Sequence, residues 1–221
     1  MSKQNKEGFR EPTALRNWTK GFLYIQIVMT IVAIISCLFE YRFLDDIRND
    51  VFVSQETAMA IGDANDSRQA VVGILQLAVF VVTGILVLLW IYRANYNAHV
   101  LGASGMRFSP GWSIGWYFIP ILNLWKPYQV MKEIWQASSN PQDWKRQKVS
   151  SLLPWWWFLW LTTGIAANAS FRLGADAREI DELMQSNLLT QLSDLIVIAL
   201  TLVLITIINR IHHMQLLYAR S

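Results

Sequence analysis

His99, His212 and His213 are the chain's three histidines. Imidazole is the side chain best suited to ligate a metal or haem, or to pass a proton near neutral pH. Haem held between helices needs its ligands within the helices, and these three fall past the apolar runs. His212 and His213 are adjacent, so on a helix they point to different faces. A membrane-embedded redox or metal enzyme is therefore the least favoured functional reading. Cys37 is the only cysteine, which excludes an intrachain disulfide and a cysteine-based zinc cluster. No nucleophile with a base, metalloprotease motif, phosphate-binding loop or dinucleotide fingerprint is present. No cofactor or metal is expected, and the residue types favour binding over catalysis.

A second set of residues suits recognition rather than bond-making. Arg93, Asn97, Trp112, Trp116, Pro120, Asn123, Lys126, Tyr128, Glu133 and Trp135 are the candidate binding residues, with aromatic faces, an amide and charges of both signs. They could hold a flat or lipidic ligand, or anchor the chain at lipid headgroups. Most lie in "FSPGWSIGWYFIPILNLWKPYQVMKEIW", Phe108 to Trp135, which is too apolar for a loop and too rich in proline for an ordinary membrane helix. Ser109-Pro110 reads as a helix start, Ser at the N-cap and Pro at N1. Pro120 removes a backbone donor and collides with the carbonyl of Trp116, so the first piece spans half a hydrocarbon core, about 15 Å. Gly111 and Gly115, four apart, would permit close helix approach. Beyond Pro120, Ile121, Leu124, Tyr128, Met131 and Trp135 recur at spacings of three and four, with Lys126, Gln129, Glu133 and Gln136 on the other side. That pattern predicts an amphipathic helix lying in the membrane interface, kinked by Pro127 near Asn123.

The elements that position this segment follow from hydropathy. Of 221 residues 53% are hydrophobic and 16% charged, where soluble domains carry about a quarter charged. Gly21–Phe39, Ala70–Tyr92, Leu152–Phe171 and Leu195–Asn209 contain no charge, and each approaches the length of a membrane span. The fold class expected is an all-α integral membrane protein with four transmembrane helices, over about residues 20–40, 70–92, 153–172 and 192–210. A Pro-broken re-entrant or interfacial amphipathic segment, 109–138, lies between the second and third. Residues 1–17 form a basic cytoplasmic tail and 18–215 a single membrane domain. The first run exceeds a signal-peptide core and lacks a small-residue cleavage site. Ile34-Ile35-Ser36-Cys37 has the look of a lipoprotein box, a rival that would lipidate Cys37.

Basic residues set orientation. With both termini inside, fourteen of the 19 Lys and Arg lie on the inner side, and twelve of the 16 acids on the outer. Making residues 109–138 a fifth span nearly removes that asymmetry. With four spans, all eleven tryptophans lie in or near the inner half. Asp194, the one acid near a span, sits at its N-terminal end and reads as a helix cap. Within the spans the polar residues are Gln26, Gln76 and Asn168, with a few Ser and Thr. The acidic outer loops suit solvated helix extensions with ion pairs. The two helical hairpins have similar ends, as in a parallel repeat. A net charge of +3, with juxtamembrane basic residues, points to anionic headgroups at the inner face rather than nucleic acid.

The stretch "YRANYNAHVLGASGMRFSPGWSIGWYFIPILNLWKPYQVMKEIWQAS", Tyr92 to Ser138, resembles the centre of a bacterial membrane family, domain of unknown function 4328. The resemblance rests on Arg93, Ala94, Asn97, Leu101, Gly102, Ser109 to Trp112, Gly115, Trp116, Ile119, Pro120, Asn123, Leu124, Pro127, Tyr128, Glu133 and Trp135. It implies a four-span protein of the bacterial inner membrane and no particular activity. The leading expectation is a multi-pass component that binds lipid, a protein partner or another copy of itself through residues 109–138. The alternative is a small-solute transporter or channel lined by the broken segment.

Overall fold

The computed structural model describes residues 7–52 and 54–220; the first six residues of the basic tail lie outside them. Among the described residues the secondary structure is helical, with no strand. Helices α1 (Thr13–Arg48), α2 (Gln55–Val100), α3 (Pro110–Gly115), α4 (Lys126–Ser139), α5 (Leu152–Asp176) and α6 (Ile180–Ala219) follow in order. Helices α1, α2 and α6 are long and apolar enough to cross a membrane. The 25-residue α5 is not among them. Its Trp155, Trp156, Trp157 and Trp160 carry an indole N–H each, and Asn168 adds an amide, so its apolar character is diluted.

The chain divides into two compact units. Unit one comprises Met1–Leu23, Val82–Phe158 and Leu202–Ser221; unit two comprises Tyr24–Val81 and Leu159–Thr201. Unit one holds the whole segment of candidate residues. Its core includes Trp90, Ile91, Val130, Met131, Ile134, Leu153, Ile207, Ile208 and Ile211, each almost fully buried. Gln215, also buried, donates to the Ala94 carbonyl at 2.7 Å and to Ser138 Oγ at 3.0 Å, joining α2, α4 and α6.

Unit two reverses the pattern of a soluble protein. Val28, Ile31, Ile35, Ile74, Leu77 and Leu195 are exposed, while Thr30, Ser36, Asn187, Ser193 and Asp194 are buried. Apolar residues outward and polar residues inward is the arrangement that a lipid solvent selects. The charged helix extensions form as the sequence suggests, with Arg48 paired to Asp45 at 2.6 Å and to Asp181 at 3.5 Å. Asp194 is not a cap: α6 starts at Ile180, so Asp194 sits well inside the helix. The polar residues ahead of the apolar run are helix formers, and they carry the helix back beyond the charge-free stretch.

Candidate functional site

The site begins where α2 ends. Gly102, at φ +105, closes the helix with a Schellman pair: its own N–H donates to the His99 carbonyl at 3.0 Å and that of Ala103 to the Ala98 carbonyl at 3.2 Å. Only glycine adopts this conformation freely. Ala103 then packs with Ala98, Ala137 and Trp144, and the Trp144 indole donates to the Ser104 carbonyl at 2.9 Å.

Glu133 clamps the next turn. Its carboxylate is 4% exposed and accepts the Arg107 N–H at 2.6 Å and the Phe108 N–H at 3.1 Å. Burial pushes this carboxyl above its ordinary range, outweighing the two N–H bonds and the neighbouring His99 and Arg107. The sequence pattern places Glu133 on a solvated polar face; the structure buries it. Its partners are backbone amides 25 and 26 residues away, invisible to helical spacing. His99 Nε2 lies 3.2 Å from the Phe108 carbonyl. A carbonyl only accepts, so this nitrogen carries the proton.

Ser109 caps α3 as its type predicts, with Pro110 at the first helical position and the Trp112 N–H 3.5 Å from Ser109 Oγ. The helix is shorter than expected: six residues, then a 3-10 turn over Trp116–Phe118. The two glycines do not serve helix approach. A Cβ on Gly111 would meet nothing, whereas one on Gly115 would meet Trp112 Cε3 at 3.1 Å. Gly115 thus leaves room for the Trp112 ring, which lies 4.8 Å from that of Trp116. Lys126 Nζ sits 5.4 Å from the Trp116 ring and 5.7 Å from that of Phe108, an arrangement worth about 0.5–1 kcal/mol per contact at exposed sites.

The break falls after Pro120. Ile121 has φ 67 and ψ −53, and Leu122 N–H donates to the Pro120 carbonyl at 2.8 Å. This is a γ-turn of the rare positive-φ kind, strained for a β-branched residue. A 3-10 turn over Leu122–Leu124 follows, and α4 starts only at Lys126. Ile121 and Leu124 therefore stand before the amphipathic helix instead of on it. Pro127 opens that helix instead of kinking it, because its missing N–H falls in the first turn, where no intrahelical partner is needed. Asn123 is half-buried, its N–H donating to the Ile119 carbonyl at 3.0 Å.

The remaining candidates separate into local groups. Arg93 Nη1 donates to the Glu11 carbonyl at 3.4 Å, and the buried Asn97 amide bonds both the N–H and the carbonyl of Arg10, at 3.1 and 2.9 Å. These two residues fasten the N-terminal segment to α2. Tyr128 packs on Trp157, rings 6.4 Å apart, and the Trp157 indole donates to the Leu124 carbonyl at 3.2 Å. Trp135 lines an open concavity of about 400 Å³ with Asn209, Arg210, His213 and Met214.

Three buried polar atoms of the segment have no hydrogen-bond partner among the described residues: Trp116 Nε1, Tyr117 OH and Gln129 Oε1. Burial pushes the Tyr117 phenol above its ordinary range. Opposite in character is a rim of exposed apolar side chains: Trp112 at 53%, Phe118 at 71%, Ile121 at 69%, Leu124 at 50% and Trp125 at 41%. Sequence reasoning missed Phe118, Trp125 and Tyr117; a lone apolar residue beside a proline break carries no periodic signal. Among the described residues no three metal-ligating side chains come together.

Taken together, the fold is all-helical, with helices apolar enough to cross a membrane and a short, aromatic, proline-broken segment fastened to their ends. The chain belongs to the family "Domain of unknown function (DUF4328)", whose model matches residues 54–213. No curated protein matches, and no solved structure matches.

Proposed function

We propose that this is a four-span protein of the bacterial inner membrane, both termini cytoplasmic, whose broken segment 109–138 seats on lipid at the cytoplasmic face. The observation that carries the reading is the exposed rim of Trp112, Phe118, Ile121, Leu124 and Trp125. Five large apolar side chains on one short segment are costly in water and favourable in the interface, where indole rings accumulate. The basic residues Arg107, Lys145, Arg146 and Lys148 of unit one meet anionic headgroups, each contributing about 1 kcal/mol near such a surface. In this reading α5 is the remaining span, and its tryptophans belong to the same belt. The segment acts as a platform for lipid, and for a protein partner or second copy recruited there; no bond-making step is assigned to it.

A second reading, a small-solute transporter, draws on the unpartnered Trp116 Nε1, Tyr117 OH and Gln129 Oε1, since irregular backbone at membrane depth is tolerated where it lines a cavity. Single-cysteine variants in a Cys37→Ser background separate sidedness from seating. Arg146→Cys should react with a membrane-impermeant maleimide in inverted vesicles and not in intact spheroplasts, while Phe118→Cys should resist in both. Labelling of Arg146→Cys from outside would overturn the topology; ready labelling of Phe118→Cys in inverted vesicles would overturn the seating.

A further inference from the structure

Unit two carries a chain of polar side chains that the proposed platform does not use. Glu40 on α1 accepts from Gln69 of α2 and from Asn187 of α6, each at 2.7 Å. Gln191 donates to Asn187 Oδ1 at 2.6 Å, and Ser36 Oγ donates to Gln69 Oε1 at 3.0 Å. One turn further along α6 from Gln191 stands Asp194, 7% exposed. Gln76 Nε2 donates to its Oδ1 at 3.2 Å. Its Oδ2 is buried with no partner among the described residues, and so is Gln26 Oε1 on α1. Both unpartnered atoms are acceptors.

The charge balance is equally one-sided. The ionisable groups that act on Cys37 in this region are Glu40, Asp194 and Arg68. Arg68 is spent on Ser36, at 3.2 Å to Oγ and to the carbonyl, and on the side-chain oxygen of Asn65. Among the described residues no base pairs with Asp194 or Glu40 within 4 Å. An ionised carboxylate buried with a single neutral hydrogen bond is strongly disfavoured. A positive charge at the free oxygen removes the penalty, and ionisable residues inside membrane helices mark such sites.

We propose that Asp194 holds one small monovalent cation, a proton or a sodium ion, at Oδ2 within the membrane-crossing part of α6. Gln76 orients the carboxyl by its other oxygen. This site belongs to unit two and segment 109–138 to unit one, and the proposal survives the failure of the platform reading.

Dicyclohexylcarbodiimide tests it on the intact chain in lipid nanodiscs. A protonated carboxyl adds across the carbodiimide: its proton passes to one nitrogen, the resulting O-acylisourea rearranges to an N-acylurea, and nothing leaves. Peptide mass spectrometry near pH 7 should find Asp194, buried without a counter-charge, labelled at least about tenfold more than Asp45, which faces water beside Arg48. Asp194→Asn should abolish that adduct. Labelling unchanged by 100 mM sodium chloride over choline chloride identifies the proton as the occupant. Labelling suppressed by sodium alone identifies sodium. Asp194 labelled no more than Asp45, with and without sodium and down to pH 5.5, would overturn the proposal.

Discussion

Glu133 offers the sharpest test of how unit one is built. Among the described residues its carboxylate is the only acceptor for the Arg107 and Phe108 N–H groups, at 2.6 and 3.1 Å. Glu133→Gln keeps the shape and one acceptor oxygen but turns an NH₂ toward a backbone donor. A buried N–H left without an acceptor costs about 1–3 kcal/mol, whether the carboxyl it has lost was ionised or not. Against that, the neutral amide avoids the burial cost that holds the carboxyl above its ordinary range. The net loss is about 1–2 kcal/mol. Glu133→Ala strands both donors and leaves a cavity, for about 3 kcal/mol or more. The turn carries Arg107, so trypsin cleavage after Arg107 in nanodiscs reports its opening. When reclosing outpaces cleavage the rate follows the open population. At 1.4 kcal/mol per decade, Glu133→Gln should cleave about 5–30-fold faster than the parent and Glu133→Ala more than about 100-fold faster. Equal rates for all three chains would refute the clamp. Glu133→Gln opening more than Glu133→Ala would refute the assignment of both oxygens.

The pH dependence has a definite sign. The folded state holds the Glu133 proton more tightly than the unfolded chain, whose ordinary value is 4.5. Its contribution is therefore full below 4.5 and is lost as pH rises through the higher folded value. The difference in melting temperature between the parent and Glu133→Gln should fall steadily over that window; a rise would contradict the burial argument. Asn97→Ala removes both bonds to Arg10 from a fully buried site, costing about 2–3 kcal/mol, and should speed trypsin cleavage after Arg10 while leaving Arg107 protected. Ile121→Gly relieves the positive-φ strain, about 1 kcal/mol, with little packing lost from a side chain 69% exposed. It should raise the melting temperature in detergent, and an equal or lower value would show that the γ-turn carries no strain.

Much of the site was legible because its signals are local. Ser109-Pro110 announces a helix start from one dipeptide, and Pro120 announces a break. Pro127 misled because proline means a stop within a helix and a start at its first turn, and only the observed boundary at Lys126 decides between them. Glu133 and Asn97 were legible as polar residues but not as clamps, since their partners are backbone groups distant in sequence. The polar interior of unit two was available in principle: Gln26, Thr30, Cys37 and Glu40 recur at helical spacing through an apolar run. The sequence shows Gln26 and Gln76 as polar residues within the spans, but not that Gln76 meets Asp194, 118 residues away. Asp194 read as a cap because the charge-free stretch begins after it, although α6 begins fourteen residues earlier, at Ile180.

The central claim is that the rim of the broken segment is embedded in lipid. Nitroxide depth measurement tests it most directly, with Phe118→Cys and Arg146→Cys spin-labelled in a Cys37→Ser background and reconstituted in anionic vesicles. Collision with oxygen against a water-soluble nickel chelate should place the label at 118 below the phosphates and the label at 146 in water. A label at 118 as accessible to nickel as the label at 146 would contradict the account.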